Sequence, residues 1–208
     1  MRPTERPIPR FIADSTQDGI PHGRFAERLR EELASAVDAI EDLPAGAALP
    51  AEVDWFPERA WGGRVWVPCS AKTESEEGRL EIFGHVSYTQ PPEGEPSGFS
   101  ARADFTDILA EDNRDWRIDL NDDVIGRWHG ENGRAGAVTL VWGRPLVRGA
   151  VAATAVLESE TVDQELVSQG RFTLIALDAL EGYGDEVFME VKLWSRRGDE
   201  LASETLYA

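Results

Sequence analysis

One cysteine, two lysines, two methionines and no long apolar run define this 208-residue chain by what it leaves out. A lone thiol, Cys69, excludes an intramolecular disulfide framework. Cys69 shares its alternation phase with Val65 and Val67, so it is expected to face the core as a small hydrophobe. No stretch approaches the length of a membrane span. The opening Met1-Arg2-Pro3-Thr4-Glu5-Arg6-Pro7-Ile8-Pro9 has no apolar segment of the secretory type, so a cytoplasmic location is expected. Positive charge is also scarce. The chain has 39 acidic and 21 basic residues, a net charge of −18. The excess is even along the chain, with 19 acidic and 11 basic residues through Asp104 and 20 and 10 after it. Such a surface repels phosphate backbones and anionic lipids, which excludes nucleic acid and bare membrane as expected partners. Nearly all the cations are arginine, as a compositional bias would give.

A core is nevertheless affordable, because 41% of the residues are hydrophobic. Most of them alternate. In Leu80-Glu81-Ile82-Phe83-Gly84-His85-Val86-Ser87-Tyr88 one face carries Leu80, Ile82, Val86 and Tyr88 and the other is mostly polar, the pattern of a strand buried on one side. Phe99, Ala101, Ala103 and Phe105 form a second such face, and Val187, Met189, Val191 and Leu193 a third. The alternation predicts strands near 64–69, 79–89, 98–107, 115–120, 123–129, 136–142, 146–157, 171–178, 186–194 and 200–207. Turns are predicted at Glu93–Gly98 and Glu131–Arg134, and a hairpin tip at Arg196–Asp199.

Prolines at 3, 7 and 9 predict an extended arm over residues 1–10. Phe11 and Ile12 are expected to begin a short strand. One helix is predicted, over Arg24–Leu43, because Phe25, Leu29, Leu33, Ala36, Val37 and Ile40 share a stripe and Pro44 with Gly46 ends the run. A single amphipathic helix has to dock on the sheet, on a second subunit, or on both. The expected architecture is therefore mainly β: an antiparallel β-sandwich or barrel with one amphipathic N-terminal α-helix, organised as the arm 1–10 and a single domain 11–208.

Chemistry-bearing residues are sparse. Seven tryptophans, at 55, 61, 66, 116, 128, 142 and 194, are many for this length. Trp116 and Trp142 fall in phase with core residues, Trp66 and Trp194 fall out of phase, and Trp55 and Trp61 lie in a loop-like region. Indoles exposed on a sheet can stack on sugar rings or other flat ligands. Asp119, Asn121 and Asp123 imitate the opening of a calcium loop, but Val124 stands where glycine is needed and Gly130 where the closing glutamate is needed, so a solvated turn and no metal are expected. The histidines, 22, 85 and 129, show no metal-ligand spacing, and no Ser/His/Asp set can be assembled. The ligand-binding candidates are Trp128, His129, Trp194 and His22; no catalytic residue and no cofactor is assigned.

Two resemblances accompany these readings. Gly126-Arg127-Trp128 is similar to the Gly-x-Trp opening of lipocalin-like barrels, which implies a tryptophan closing a barrel base. Gly19-Ile20-Pro21-His22-Gly23, followed directly by the helix, resembles the Gly-x-x-His-Gly entry to the central helix of hotdog thioesterases, with Arg24 where that pattern has a further glycine. The ending Arg197-Gly198-Asp199-Glu200-Leu201-Ala202 is similar to that family's closing strands. Membership would imply a helix wrapped by a curved sheet and an acyl-thioester ligand. The expected function is a non-enzymatic binding or assembly protein that self-associates through the arm and helix. The alternatives are a hotdog-like acyl-thioester hydrolase or a small-ligand-binding β-barrel, with a small apolar ligand or a glycan as the possible guest.

Overall fold

The computed structural model describes residues 25–129, 135–157, 160–177 and 189–206. Twelve antiparallel strands and one α-helix make up most of them, with no closed barrel among them. The chain divides into two compact units, one within Gln17–Trp116 and the other containing Arg117–Ala208.

In the first unit, helix α1 (Ala26–Asp38) lies on an antiparallel sheet of β1 (Asp54–Trp55), β2 (Arg59–Trp61), β3 (Arg64–Ser75), β4 (Gly78–Thr89) and β5 (Ser97–Thr106). β3 carries β1 and β2 on one side and β4 on the other, and β5 closes the order beyond β4. Leu29, Leu33 and Val37 are the buried stripe of α1, packed on Val67, Cys69, Leu80, Ile82, Val86 and Tyr88. Each of those three side chains contributes about 2 kcal/mol by leaving water. The helix thus docks on its own sheet. It stops at Asp38, five residues earlier than the apolar spacing predicts. The Ala39 and Ile40 N–H groups bond to the Ala36 and Val37 carbonyls at 3.2 and 3.1 Å, which tightens the last turn and lets Ile40, Leu43, Ala47 and Leu49 wrap onto the same core. The other face of the sheet carries Trp66, Ser70, Glu81, His85 and Ser87, all buried, although the pattern of β4 marks this face as the polar one.

The second unit is sandwich-like. One sheet has the order β10 (Phe172–Leu177), β7 (Ala135–Pro145), β6 (Ile118–His129). The other has the order β12 (Glu200–Leu206), β11 (Met189–Ser195), β8 (Ala150–Leu157), β9 (Glu160–Leu166). Their facing sides share a core in which Ile118, Val141, Phe172 and Leu174 meet Ala153, Ala155, Met189, Val191 and Leu193. β11 and β12 form the expected hairpin. Its tip is held by Ser195 Oγ, which accepts from the Arg197 and Asp199 N–H groups at 3.2 and 3.1 Å, and by Gly198 at φ +79°.

Several local expectations are corrected. The acidic segment Asp119–Asp123 lies inside one continuous strand, β6, where every residue from Ile118 to Val124 has a partner on β7. Trp116 is 39% exposed just ahead of β6 and is not part of the core. β8 begins at Ala150, because Gly149 at φ +86° turns the chain there. β1 and β2 form where Trp55 and Trp61 were read as loop-like, and β9 has too few apolar residues to alternate. Expectations for residues 1–24, including the arm and His22, and for the turn within 130–134 fall outside the described residues.

Candidate functional site

The four candidate ligand residues do not form one constellation in the structure. His22 lies outside the described residues. Trp128 and His129 are neighbours at the end of β6, so their side chains leave opposite faces of the strand. Trp128 is half-buried, its Nε1 shielded and without a hydrogen-bond partner among the described residues, whereas His129 is exposed. Trp194 stands on β11 and is 7% exposed, and its Nε1 donates to the buried Thr154 Oγ1 at 2.8 Å. Strand alternation puts its indole on the face opposite Leu193, and the pairing shifts register beside it against both β12 and β8.

No group of three or more metal-ligating side chains converges among the described residues. Strand geometry explains why Asp119, Asn121 and Asp123 do not form one. Alternate residues of an extended strand stand about 7 Å apart, too far for three oxygens to share an ion at about 2.4 Å. Cys69 is buried against the Gly84 carbonyl at 3.5 Å, and burial pushes its thiol far above the ordinary value, so it holds no thiolate for chemistry. His85 packs against Trp66, ring centroids 5.2 Å apart and edge-on, in the buried layer of the first sheet.

Among the described residues, polar and aromatic groups gather in a concave feature beside Trp55, in the stretch read from the sequence as loop-like. A groove of about 480 Å³ runs between the first turns of α1 and the segment leading into β1. Arg30 builds one wall: its Nη1 donates to the Ala51 carbonyl at 3.0 Å and its Nη2 to the Pro50 carbonyl at 2.6 Å, tying the segment to the helix. Glu27, Glu52 and Asp54 contribute three carboxylates to the lining, and Ala26, Val53 and Trp55 contribute its apolar part. Trp55 is held in place by pairing with Cys69 on β3 and by packing on the unit's core. The groove thus combines an indole, an anionic rim and a fixed guanidinium.

A second aromatic set lies on the same sheet. Tyr88 stacks on Phe99 at 5.2 Å and meets Phe25 at 6.2 Å, and the Arg28 guanidinium lies 5.6 Å over the Phe99 ring. The Tyr88 hydroxyl donates to Glu58 Oε2 at 3.2 Å. Burial, reinforced by the Glu58 charge and this hydrogen bond, pushes Tyr88 up to about 12. Desolvation also raises Glu58, against the lowering effect of the tyrosine hydrogen bond. Acid–base work near neutrality is outside the range of such a phenol.

No protein-family model, curated protein or solved structure matches the chain. Among the described residues, no helix is long and apolar enough to cross a membrane.

Proposed function

We propose that this is a non-enzymatic binding and assembly protein of the cytoplasm, whose Pro-rich arm and helix flank contact other protein chains, copies of itself foremost. The observation that carries this reading is the groove beside α1, with Trp55 in its wall and Glu27, Glu52 and Asp54 around it. The arm offers the complementary chemistry. Residues 1–10 carry Arg2, Arg6 and Arg10 against a single acid, Glu5, with prolines at 3, 7 and 9. In a chain of net charge −18 this is a locally basic segment. Proline-rich segments are already extended, lose little entropy on docking, and bind in aromatic-lined grooves. Arginines spaced along such a segment meet carboxylates in planar, bidentate pairs.

Deleting residues 1–10 tests the proposal by size-exclusion chromatography with light scattering. The reading expects the subunit number to fall, or association to weaken, while circular dichroism stays that of the intact chain. An unchanged oligomer, or a wild-type protein that is monomeric throughout, would overturn it. Replacing Trp55 by Ala is expected to weaken association in the same direction as the deletion.

A further inference from the structure

We propose that the outer edge of β5 is a self-complementary docking strand, pairing antiparallel with β5 of a second copy about a two-fold axis through Ala103. This inference rests on the assembly reading and assigns a surface to it.

β5 is ten residues long and, among the described residues, pairs with β4 alone. The hydrogen-bonding parity of its backbone can be read from two places. The Phe105 N–H is bonded to the neighbouring Asp104 Oδ1 at 2.8 Å and so stays out of the β4 ladder. The Arg102 carbonyl faces β4, where it lies against the position a Cβ would take at Gly84. Backbone groups alternate along a strand, so Ala101, Ala103 and Phe105 turn their N–H and C=O groups outward. An edge of this kind templates another strand.

The side chains select the partner and the register. Arg102 and Asp104 are exposed on one face, while Phe99, Ala101, Ala103 and Phe105 are half-buried on the α1 face. With the axis at Ala103, Arg102 of each copy stands opposite Asp104 of the other. Ser100 meets Thr106 on the same face, and Ala101 meets Phe105 on the apolar face. Moving the axis to residue 102 sets arginine against arginine, and moving it to residue 104 sets aspartate against aspartate. Both are penalised, because like charges directly opposite are destabilising. Axes midway between residues would oppose the apolar face to the charged one. At the Ala103 axis the outward backbone groups fall at 101, 103 and 105, so 103 pairs with 103 and 101 with 105 through hydrogen bonds, the Phe105 N–H exchanging Asp104 Oδ1 for the Ala101 carbonyl of the second copy and freeing that carboxylate for Arg102. Arg102 and Asp104 then occupy the closer, non-hydrogen-bonded position, where side chains meet best. The two-fold symmetry makes each contact twice, as an isologous interface requires.

The test is a charge-swap cycle on the full chain, read as the dissociation constant from sedimentation velocity over a concentration series. Arg102→Asp and Asp104→Arg each convert two attractive pairs into two repulsive ones and are expected to weaken association about thirtyfold. The double variant restores opposite charges and should return within about threefold of wild type. If one single variant does not fold, the other single and the double complete the cycle. Unchanged association of the single variants, or no restoration in the double, would overturn the β5 surface while leaving the assembly reading standing. A wild-type protein that is monomeric across the series would overturn both.

Discussion

Replacing Gly84 by Ala puts the sheet of the first unit under the sharpest available test. Intrinsic preference favours the variant, because glycine inside a strand costs roughly 0.5–1 kcal/mol relative to alanine. Gly84 stands in the middle of β4, opposite Cys69 on β3 and Ala103 on β5. A Cβ there would lie 2.9 Å from the Ala103 Cα and still closer to the Arg102 carbonyl oxygen, inside the 3.0 Å that real Cβ atoms keep. Both obstacles are backbone, so no rotamer change relieves them. β5 has to retreat by nearly an ångström, at an overpacking cost of about 1–3 kcal/mol. Each ladder hydrogen bond weakened by the retreat adds about 1 kcal/mol. Against the small intrinsic gain, the net expectation is a loss of about 3 kcal/mol. Urea unfolding of Gly84→Ala should therefore show a lower midpoint at unchanged slope, read by tryptophan fluorescence and circular dichroism. Gly149→Ala is the control. Its φ of +86° strains any side chain, but nothing lies near its Cβ position, so about 1 kcal/mol is expected. A Gly84→Ala protein as stable as wild type would refute the close approach of β4 and β5.

Further outcomes follow from buried groups. Tyr88 is raised from 10.0 to about 12, so the folded protein keeps a proton that the unfolded chain loses near pH 10. The stability linked to this group is intact below pH 10 and is lost as pH rises through about 12. Tyr88→Phe should reduce that alkaline loss and remove the latest phase of the tyrosinate absorbance titration; a titration with all tyrosines ionising near pH 10 would contradict the burial. Cys69 should resist thiol reagents in the native protein and react once per chain in denaturant, and rapid native labelling would show that β3 does not bury it. Trp194→Phe removes the bond to Thr154 inside the second unit and should cost about 1–3 kcal/mol in urea unfolding. An unchanged midpoint would mean the indole N–H is not spent there.

The parts of this architecture that could be read from the chain are those where one periodicity acts alone. β4 alternates cleanly because α1 covers one of its faces, and α1 shows a stripe because Leu29, Leu33 and Val37 meet that same sheet. The strand Met189–Ser195 was legible for the same reason, its inner face being Met189, Val191 and Leu193. Legibility failed where burial did not follow hydrophobicity. Trp66 and Trp194 sit out of phase with their strands yet are buried, each satisfying its indole N–H, on the Trp61 carbonyl and on Thr154 respectively. The acidic run in β6 looked like a turn because its side chains are polar, but its backbone is committed to β7. The groove was hidden for a related reason. It is made by a guanidinium bonding to backbone carbonyls twenty residues away, and carbonyls leave no mark in a sequence. Glu52-Val53-Asp54-Trp55 was the only local signal, an indole flanked by carboxylates in a segment too short to show a period.

Native mass spectrometry of the purified chain tests the central claim most directly, since it reads subunit number and retained small molecules together. An oligomer with an even number of chains and no bound adduct is expected, because the β5 pairing is two-fold. A monomer that retains an acyl group, a metal or another small molecule would contradict it.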